Sequence, residues 1–399
     1  MKKILFSLFD SVFYFFYSRI MIPLKSRSIR NKDQIVILFV IHELASWKTE
    51  NLYLKMLNHN RFKPFLTVVP SLADAEEERH VCSYLSEKKY QFHKMREDES
   101  LQSVFHPDII FYQKPYDRCI PEKYQWNKNL KSLFCFVNYS FRNVPLNQKT
   151  RFQKYAWQVY AENSVTAKEM CQLMSNGGRN VLVTGLPVMD ELMKDKSSFE
   201  NPWQKQECEK KKIIYAPYHA VYSPLSWNKS TFMTFGEALL SLAEKYKEET
   251  QWAFKPHPLL EPKLVKVWGK EKTKEYYERW KALENCQIET GTYMGLFKHS
   301  DAMIHDCRSF MLEYLYTKKP VMFLSIVDNQ MDNYTQQTKI AYNAHVIGQT
   351  VEDVERFLIS IIQNDNKSFA TNDKQVDEIL LPPNNLSVCD NIINSILGL

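Results

Sequence analysis

Seven of the eight residues from Gln34 to Ile41 (QIVILFVI) are large and apolar, and polar residues do not alternate with them. A strand with one wet face alternates, whereas a strand without alternation is covered on both faces, as in a parallel sheet sandwiched by helices. Parallel neighbours also need crossovers long enough to hold a helix, so this run predicts an open α/β architecture. Short apolar runs recur at Pro64 to Val69, Asp108 to Gln113, Leu133 to Asn138, Trp157 to Ala161 and Asn180 to Thr184. Between the last two, Ser164 to Asn176 is expected to be a helix with Ser164 as N-cap and Gly177 as its stop.

The pattern breaks and then restarts. Met193 to Lys211 is polar, contains Pro202 and reads as a linker. Beyond it, strands are expected at Lys212 to Ala216, Gln251 to Lys255, Ala302 to Asp306 and Pro320 to Leu324, with a helix over Thr231 to Lys247. Two such sets in 399 residues fit two domains, 34–192 and 212–372, facing each other across a cleft. No internal repeat is visible, so the likeness of the two is architectural. A C-terminal segment, 373–399, ends in a helix capped by Ser387 that packs back onto the first domain.

Residues 1–33 differ from the rest. Ile4 to Ile22 is rich in Phe, Leu and Ile and is followed by Lys25, Arg27, Arg30 and Lys32. On a helical period Ser7, Asp10, Ser11, Tyr14, Tyr17 and Ser18 share one side, while Leu5, Phe6, Phe9, Phe13, Phe16 and Ile20 spread over the remainder. Such an amphipathic helix with a basic tail suits the headgroup region of an anionic membrane surface. The alternatives are a helix docked on the protein's own surface, a cleaved signal peptide, and a spanning helix. Asp10 interrupts the apolar stretch and no A-x-A-like site follows, which disfavours the signal peptide. Asp10 and Arg19 make a span costly.

Composition removes several function classes. The chain has 9 Gly, none in a G-x-G-x-x-G or G-x-x-x-x-G-K-[ST] arrangement, so the common dinucleotide and P-loop fingerprints are absent. Lys and Arg number 52 against 46 Asp and Glu, with no long basic tract beyond residue 32, so nucleic acid is not an expected partner. The 8 Cys form no C-x-x-C pair, which points to reduced thiols in a cytosolic setting rather than a zinc site. No D-x-D occurs, so no divalent metal and no cofactor are expected.

Open parallel sheets bind ligands outside the carboxyl ends of their strands. Three strand ends of the second set carry chemistry. Tyr215-Ala216-Pro217-Tyr218-His219 breaks a strand at Pro217 and delivers His219 to the cleft edge. Lys255-Pro256-His257-Pro258 holds an imidazole rigidly between two prolines beside a Lys, which suits an anionic ligand; the bland reading is a rigid surface turn. Ser300 to Ser309 ends a strand at Asp306 and starts a helix near Ser309, offering backbone N–H groups and a hydroxyl to an anion such as pyrophosphate. Glu313, one turn on, is placed to accept ribose hydroxyls, and the bland reading is that Asp306 and Ser309 cap the helix.

Taken together, Tyr215-Ala216-Pro217, His257-Pro258, Ser300-Asp301 to Ser309 with Glu313, and Lys319-Pro320 resemble the CDP-glycerol glycerophosphotransferase family of teichoic acid primases and polymerases, with bacterial capsule-locus relatives. Val183-Thr184-Gly185-Leu186-Pro187 with Asp190 resembles the segment closing that family's first domain. The resemblance is good over 180–325 and holds before that only in the order of elements. It implies a GT-B fold, two doubly wound parallel-sheet domains with the donor nucleotide held mainly by the second. On that basis His257, Ser309 and Glu313 hold the pyrophosphate and ribose of a CDP-alcohol, Asp306 shapes the turn, and His219 has a less defined part. Cys307 and Arg308 stand where members have small residues, and Arg308 is suited to pair with phosphate.

A second departure lies on the acceptor side. Where teichoic acid polymerases have Trp-His-Gly-Thr, the corresponding place in this chain is Val137-Asn138-Tyr139-Ser140-Phe141, without a His. A replacement base is expected at the end of the first strand, His42 or Glu43; the bland reading is a packed His and a capping Glu. The reaction implied is displacement at the β-phosphorus of a CDP-activated polyol by a hydroxyl of a lipid-linked glycan or polyol phosphate, on the cytoplasmic face of the cell membrane. The alternatives are a GT-B glycosyltransferase using a nucleotide-sugar and an inactive scaffold of the same pathway.

Overall fold

The structure, a computed structural model, describes residues 10–114, 119–144, 151–223, 229–326, 330–365 and 374–399. The chain divides into two compact units. Unit 1 gathers Met1–Phe141, Leu146–Glu191 and Leu381–Leu399, and unit 2 gathers Arg142–Pro145 and Leu192–Leu380.

In unit 1 the strands are β1 (Ile35–Ile41), β2 (Phe62–Val68), β3 (Phe92–Lys94), β4 (Ile109–Tyr112), β5 (Leu133–Val137), β6 (Gln158–Ala161) and β7 (Val181–Val183). They form one sheet in the order β3-β2-β1-β4-β5-β6-β7. Every pairing is parallel. β1 pairs along its whole length with β2, from Ile35 opposite Phe62 to Ile41 opposite Val68. On its other side β1 pairs with β4. That central position accounts for its unbroken apolar run. β3 is an edge strand of three residues, Phe-His-Lys, too short and too polar to leave a signal in the sequence.

The helix Ser164–Leu173 is capped one residue earlier than expected. Asn163 Oδ1 accepts from the Thr166 N–H at 2.9 Å, making Ser164 the first helical residue. Asn and Ser are comparable N-caps, and here the side chain that reaches the third amide is the Asn. The C-terminal helix Val388–Leu397 belongs to unit 1. Ser387 Oγ accepts from the Asp390 N–H at 3.1 Å, and Asp190 accepts from the amides of Val388 (2.7 Å) and Cys389 (3.0 Å). At the other end Arg30 Nε donates to the Ile396 carbonyl at 3.1 Å, where a cation complements the helix dipole.

Residues 10–30 are helical, with a π-helical turn at Tyr17–Met21. The side that docks on unit 1 carries Asp10, Tyr14 and Tyr17 from the polar side together with Phe13, while Ser11 is exposed. Asp10 accepts from Tyr155 Oη (2.8 Å), Lys154 Nζ (3.0 Å) and Arg151, while Tyr17 is fully buried. Phe13 and Tyr14 pack against Tyr155, with ring centroids 6.0 and 5.2 Å away. Val12, Phe15, Phe16, Ile20 and Leu24 are left exposed. Of the four cations after the apolar stretch, Lys25 bonds the Leu130 carbonyl, Arg30 the Ile396 carbonyl and Lys32 the Asp108 carboxylate. Arg27 is exposed, as is Arg19. Among the described residues no helix is long and apolar enough to cross a membrane.

Unit 2 contains β8 (Lys211–Ala216), β9 (Thr250–Phe254), β10 (Cys286–Ile288), β11 (Ala302–His305), β12 (Val321–Leu324) and β13 (Val346–Gly348). Their order, β10-β9-β8-β11-β12-β13, repeats the winding of the first six strands of unit 1. Its core is built on Trp252, Phe254 and Trp280; the Phe254 and Trp280 rings stack 5.0 Å apart at 10°. The stretch read as a linker is partly anchored. Trp203 is buried, donating Nε1–H to the Leu296 carbonyl at 3.3 Å, and the Gln204 amide donates to Gln287 Oε1 at 2.8 Å. One apolar side chain in a polar run is enough to hold it against unit 2.

Candidate functional site

In an open parallel sheet the strand order reverses at one point, and the loops leaving the two strands there diverge to open a crevice. In unit 2 the reversal lies between β8 and β11. The loop after β8 carries Tyr218 and His219, and the loop after β11 carries Asp306 and Cys307 and leads into Arg308, the first residue of a short helix.

These loops are locked together by one carboxylate. Asp306 is buried, with Oδ1 accepting from the Tyr218 amide. Its Oδ2 accepts from Ser230 Oγ (2.8 Å), the Thr231 amide (2.6 Å) and Thr231 Oγ1 (3.0 Å). Burial pushes the Asp306 acid upward, and the four donors oppose that shift. Asp306 does not cap the helix that follows it; it joins β11 to the β8 loop and to the start of helix Phe232–Lys245.

The aromatic rings of the site then meet. The His219 and His257 centroids lie 4.2 Å apart at 55°, and Tyr218 touches both, at 4.2 and 5.8 Å. The Arg308 guanidinium sits 5.9 Å from the Tyr218 ring centre. His257 Nδ1 accepts from the Leu259 amide at 3.1 Å, and His219 Nδ1 lies 2.7 Å from Lys263 Nζ. Both imidazoles are pushed down to about 4, each chiefly by burial, with Lys263 adding to both and His219 adding to His257. Near neutral pH both rings are therefore uncharged.

The remaining candidates are placed as follows. Lys255 is buried beside the His257 loop, donates to the Gly291 carbonyl at 2.8 Å, and is held below the ordinary lysine range by burial. Ser309, half-buried in the short helix Arg308–Glu313, has its hydroxyl 3.0 Å from Cys307 Sγ. Burial pushes the Cys307 thiol up to about 11, so it stays protonated. Glu313 is buried and takes a hydrogen bond from the Tyr293 side chain.

Unit 1 has its own reversal, between β1 and β4. His42 and Glu43 leave β1, Gln113 and Lys114 leave β4, and Asn138 and Tyr139 leave the neighbouring β5. Lys114 forms an ion pair with Glu43 and lies 5.2 Å from the Tyr139 ring centre. His42 is buried, and its Nε2 has no hydrogen-bond partner among the described residues. Burial first, then Lys114, holds its imidazole near 4, so it is neutral near pH 7.

Sequence reasoning missed Lys114, Tyr218, Lys263, Tyr293 and the Ser230-Thr231 pair. Lys263 stands six residues after His257 in helix Leu260–Trp268 and Lys114 lies two residues past the end of β4, spacings that belong to no motif. Thr231 carried a signal as the expected start of a helix, but nothing in the chain links it to Asp306.

Two sheets wound in the same order, each with polar loops at its reversal point, define a GT-B-like protein of two α/β units. Known structures agree. The chain has a TM-score of 0.58 to UDP-GlcNAc 2-epimerase from Neisseria meningitidis bound to UDP-GlcNAc, at 14% identity, covering 92% of this chain and 99% of that one. The Methanocaldococcus jannaschii UDP-GlcNAc 2-epimerase gives 0.57 at 12% identity, covering 92% and 99%. A substituted form of the wall teichoic acid polymerase TagF, soaked with CDPG, gives 0.58 at 11% identity, covering 95% and 91%. These likenesses show the fold. No curated protein matches the sequence itself.

Residues 135–380 match the family described as CDP-Glycerol:Poly(glycerophosphate) glycerophosphotransferase. That span takes in both histidine loops and the Asp306 turn, and the chain belongs to this family of transferases.

Proposed function

We propose that the protein is a CDP-alcohol phosphotransferase that moves the polyol phosphate of CDP-glycerol or CDP-ribitol onto a lipid-linked glycan or polyol-phosphate acceptor. The observation that carries this reading is the His219–His257 pair at the reversal point of the unit 2 sheet, within the family-matched segment. The donor diphosphate is met there by two imidazoles and Arg308, with Ser309 beside them and Glu313 toward the ribose. The acceptor hydroxyl attacks the β-phosphorus and gives its proton to His42. A new O–P bond forms, the bond from the β-phosphorus to the bridging oxygen breaks, and CMP leaves with that oxygen. Transfer of this kind depends on alignment and charge neutralisation, which fixed imidazoles and a guanidinium supply.

Glu43 serves this step through Lys114. Their ion pair balances the Lys114 cation that pushes the His42 imidazole down, and so favours the protonated ring that forms when the hydroxyl gives up its proton. The exposed stripe Val12, Phe15, Phe16, Ile20 and Leu24, flanked by Arg19 and Arg27, suits insertion into the headgroup layer of an anionic membrane, where a lipid-linked acceptor resides. The test is a product assay with CDP-glycerol, CDP-ribitol and nucleotide-sugars against a lipid acceptor extract. CMP release with a CDP-alcohol supports the reading. Nucleoside diphosphate release from a nucleotide-sugar would replace it with a glycosyltransferase.

A further inference from the structure

We propose that Lys263 is a positioning residue of the donor site, fixing His219 with its ring proton on Nε2 so that His219 and His257 present two N–H donors to one anionic ligand. The inference rests on the donor-site reading above and names the residue that sets its chemistry.

An ammonium has only hydrogens to give. With Lys263 Nζ 2.7 Å from His219 Nδ1, that nitrogen must offer its lone pair, and the proton of the neutral ring sits on Nε2. His257 is fixed in the same tautomer by a different donor, the Leu259 amide at its Nδ1. Two imidazoles whose centroids are 4.2 Å apart would repel each other if both were charged. Neutral rings avoid that repulsion and still offer two N–H groups, and a diphosphate has the adjacent oxygens to accept both.

Lys263 has little reason to be there for the helix. It lies in the first turn of Leu260–Trp268, where a cation opposes the helix dipole. Its side chain instead reaches His219 and lies 5.5 Å from the Tyr222 ring centre. The other polar groups of this corner are already assigned: Asp306 holds the Tyr218 amide, Arg308 covers the Tyr218 ring, and Lys255 bonds the Gly291 carbonyl. Among the described residues, Lys263 is the cation at the back of His219.

Three substitutions separate tautomer, charge and bulk. Lys263→Met removes donor and charge at similar length, Lys263→Gln keeps an N–H donor without charge, and Lys263→Arg keeps both. In full-length protein with 15N-labelled histidine and no nucleotide, the His219 ring signals should report the Nε2–H tautomer in wild type, Lys263→Gln and Lys263→Arg. Lys263→Met should shift them toward Nδ1–H. Titration with CDP at neutral pH should then show a loss of about tenfold for Lys263→Met, most of which Lys263→Gln restores. An unchanged tautomer in Lys263→Met, or equal losses in the Met and Gln variants, would overturn the proposal. If His219→Ala and His257→Ala both leave CDP affinity intact, the donor-site reading fails instead, and the ring signals of the free protein still decide what Lys263 does.

Discussion

Asp306→Asn isolates what the buried carboxylate contributes. The wild-type side chain accepts four hydrogen bonds, one at Oδ1 from Tyr218 and three at Oδ2 from Ser230 and Thr231. The amide is nearly isosteric but has one acceptor oxygen. Its best placement keeps oxygen toward the three donors and turns NH2 against the Tyr218 amide, so one bond is lost and two donors face each other. Removing a buried hydrogen bond to a charged group costs about 1.5 to 3 kcal/mol. Asp306→Ala leaves at least the two backbone amides, of Tyr218 and Thr231, without an acceptor. At about 1 to 3 kcal/mol each, that is about 2 to 6 kcal/mol, a large part of the 5 to 15 kcal/mol typical of a folded protein. Asp306→Asn is therefore the informative variant and Asp306→Ala the damaging one. Urea unfolding followed by intrinsic fluorescence should show a lower midpoint for Asp306→Asn. CDP titration should show weaker binding, because the freed Tyr218 loop carries His219. An unchanged midpoint together with unchanged CDP affinity would refute the view of Asp306 as the brace of the donor loops.

Alanine at His257 or at Ser309 should weaken CDP binding by about 1.5 to 3 kcal/mol each if both touch the diphosphate, and calorimetry showing wild-type affinity in both would remove them from the site. His42→Ala should lower turnover about 100- to 10,000-fold with donor affinity near wild type, and Glu43→Gln, which frees Lys114, should lower it less; full activity in both would send the search for the base elsewhere. Replacing Phe15, Phe16 and Ile20 by Ser should release the protein from anionic vesicles without lowering its unfolding midpoint, since these side chains are exposed; vesicle binding equal to wild type would discard the membrane reading. His345 is buried, donates Nδ1–H to the Ala341 carbonyl at 2.6 Å, and is pushed by burial from 6.5 to about 4. Between those pH values the unfolded chain binds a proton that the folded one does not, so this contribution is complete above 6.5 and is lost as pH falls toward 4, about 3 kcal/mol in all. His345→Gln should flatten the fall of the urea midpoint over that window, and an unaltered slope would show that other groups govern it.

The parts of the fold legible in the sequence are those whose physics is local. β1, β8 and β11 are central strands covered on both faces, and the apolar runs this requires are visible without partners. β3, β10 and β13 have three residues each, and their pairing is decided by neighbours far along the chain. The N-terminal helix shows a different limit. Its periodicity was legible, but a helical wheel ranks sides by polarity and cannot know that Arg151, Lys154 and Tyr155 await Asp10. Asp10, Tyr14 and Tyr17 turned inward, which alters how the segment should be tested. Deleting residues 1–32 would uncover the surroundings of Tyr17 as well as remove the apolar stripe, whereas outward substitutions change the stripe alone. In the candidate site, loop residues at strand ends were legible from backbone chemistry, Pro217 and the Pro256-His257-Pro258 run above all. The 4.2 Å approach of two rings from separate loops was not.

The two reversal points carry different electrostatics on the same winding. In unit 1 the cation, Lys114, is matched by Glu43, and the neighbouring His42 is neutral with a buried ring nitrogen that has no partner among the described residues, an arrangement suited to accepting a proton from a neutral hydroxyl. In unit 2 Asp306 is wholly engaged by donors, and Lys263 and Arg308 stand around two neutral rings, an arrangement suited to holding an anion. Charge balance alone therefore predicts unequal responses to salt. Screening falls most heavily on a site that gathers a charged ligand and least on proton acceptance from a neutral one. Raising ionic strength should increase the apparent KM for the CDP-alcohol while leaving kcat nearly constant. A fall in kcat at constant KM would mean that the charged chemistry lies with the acceptor, and the assignment of the two units would have to be exchanged.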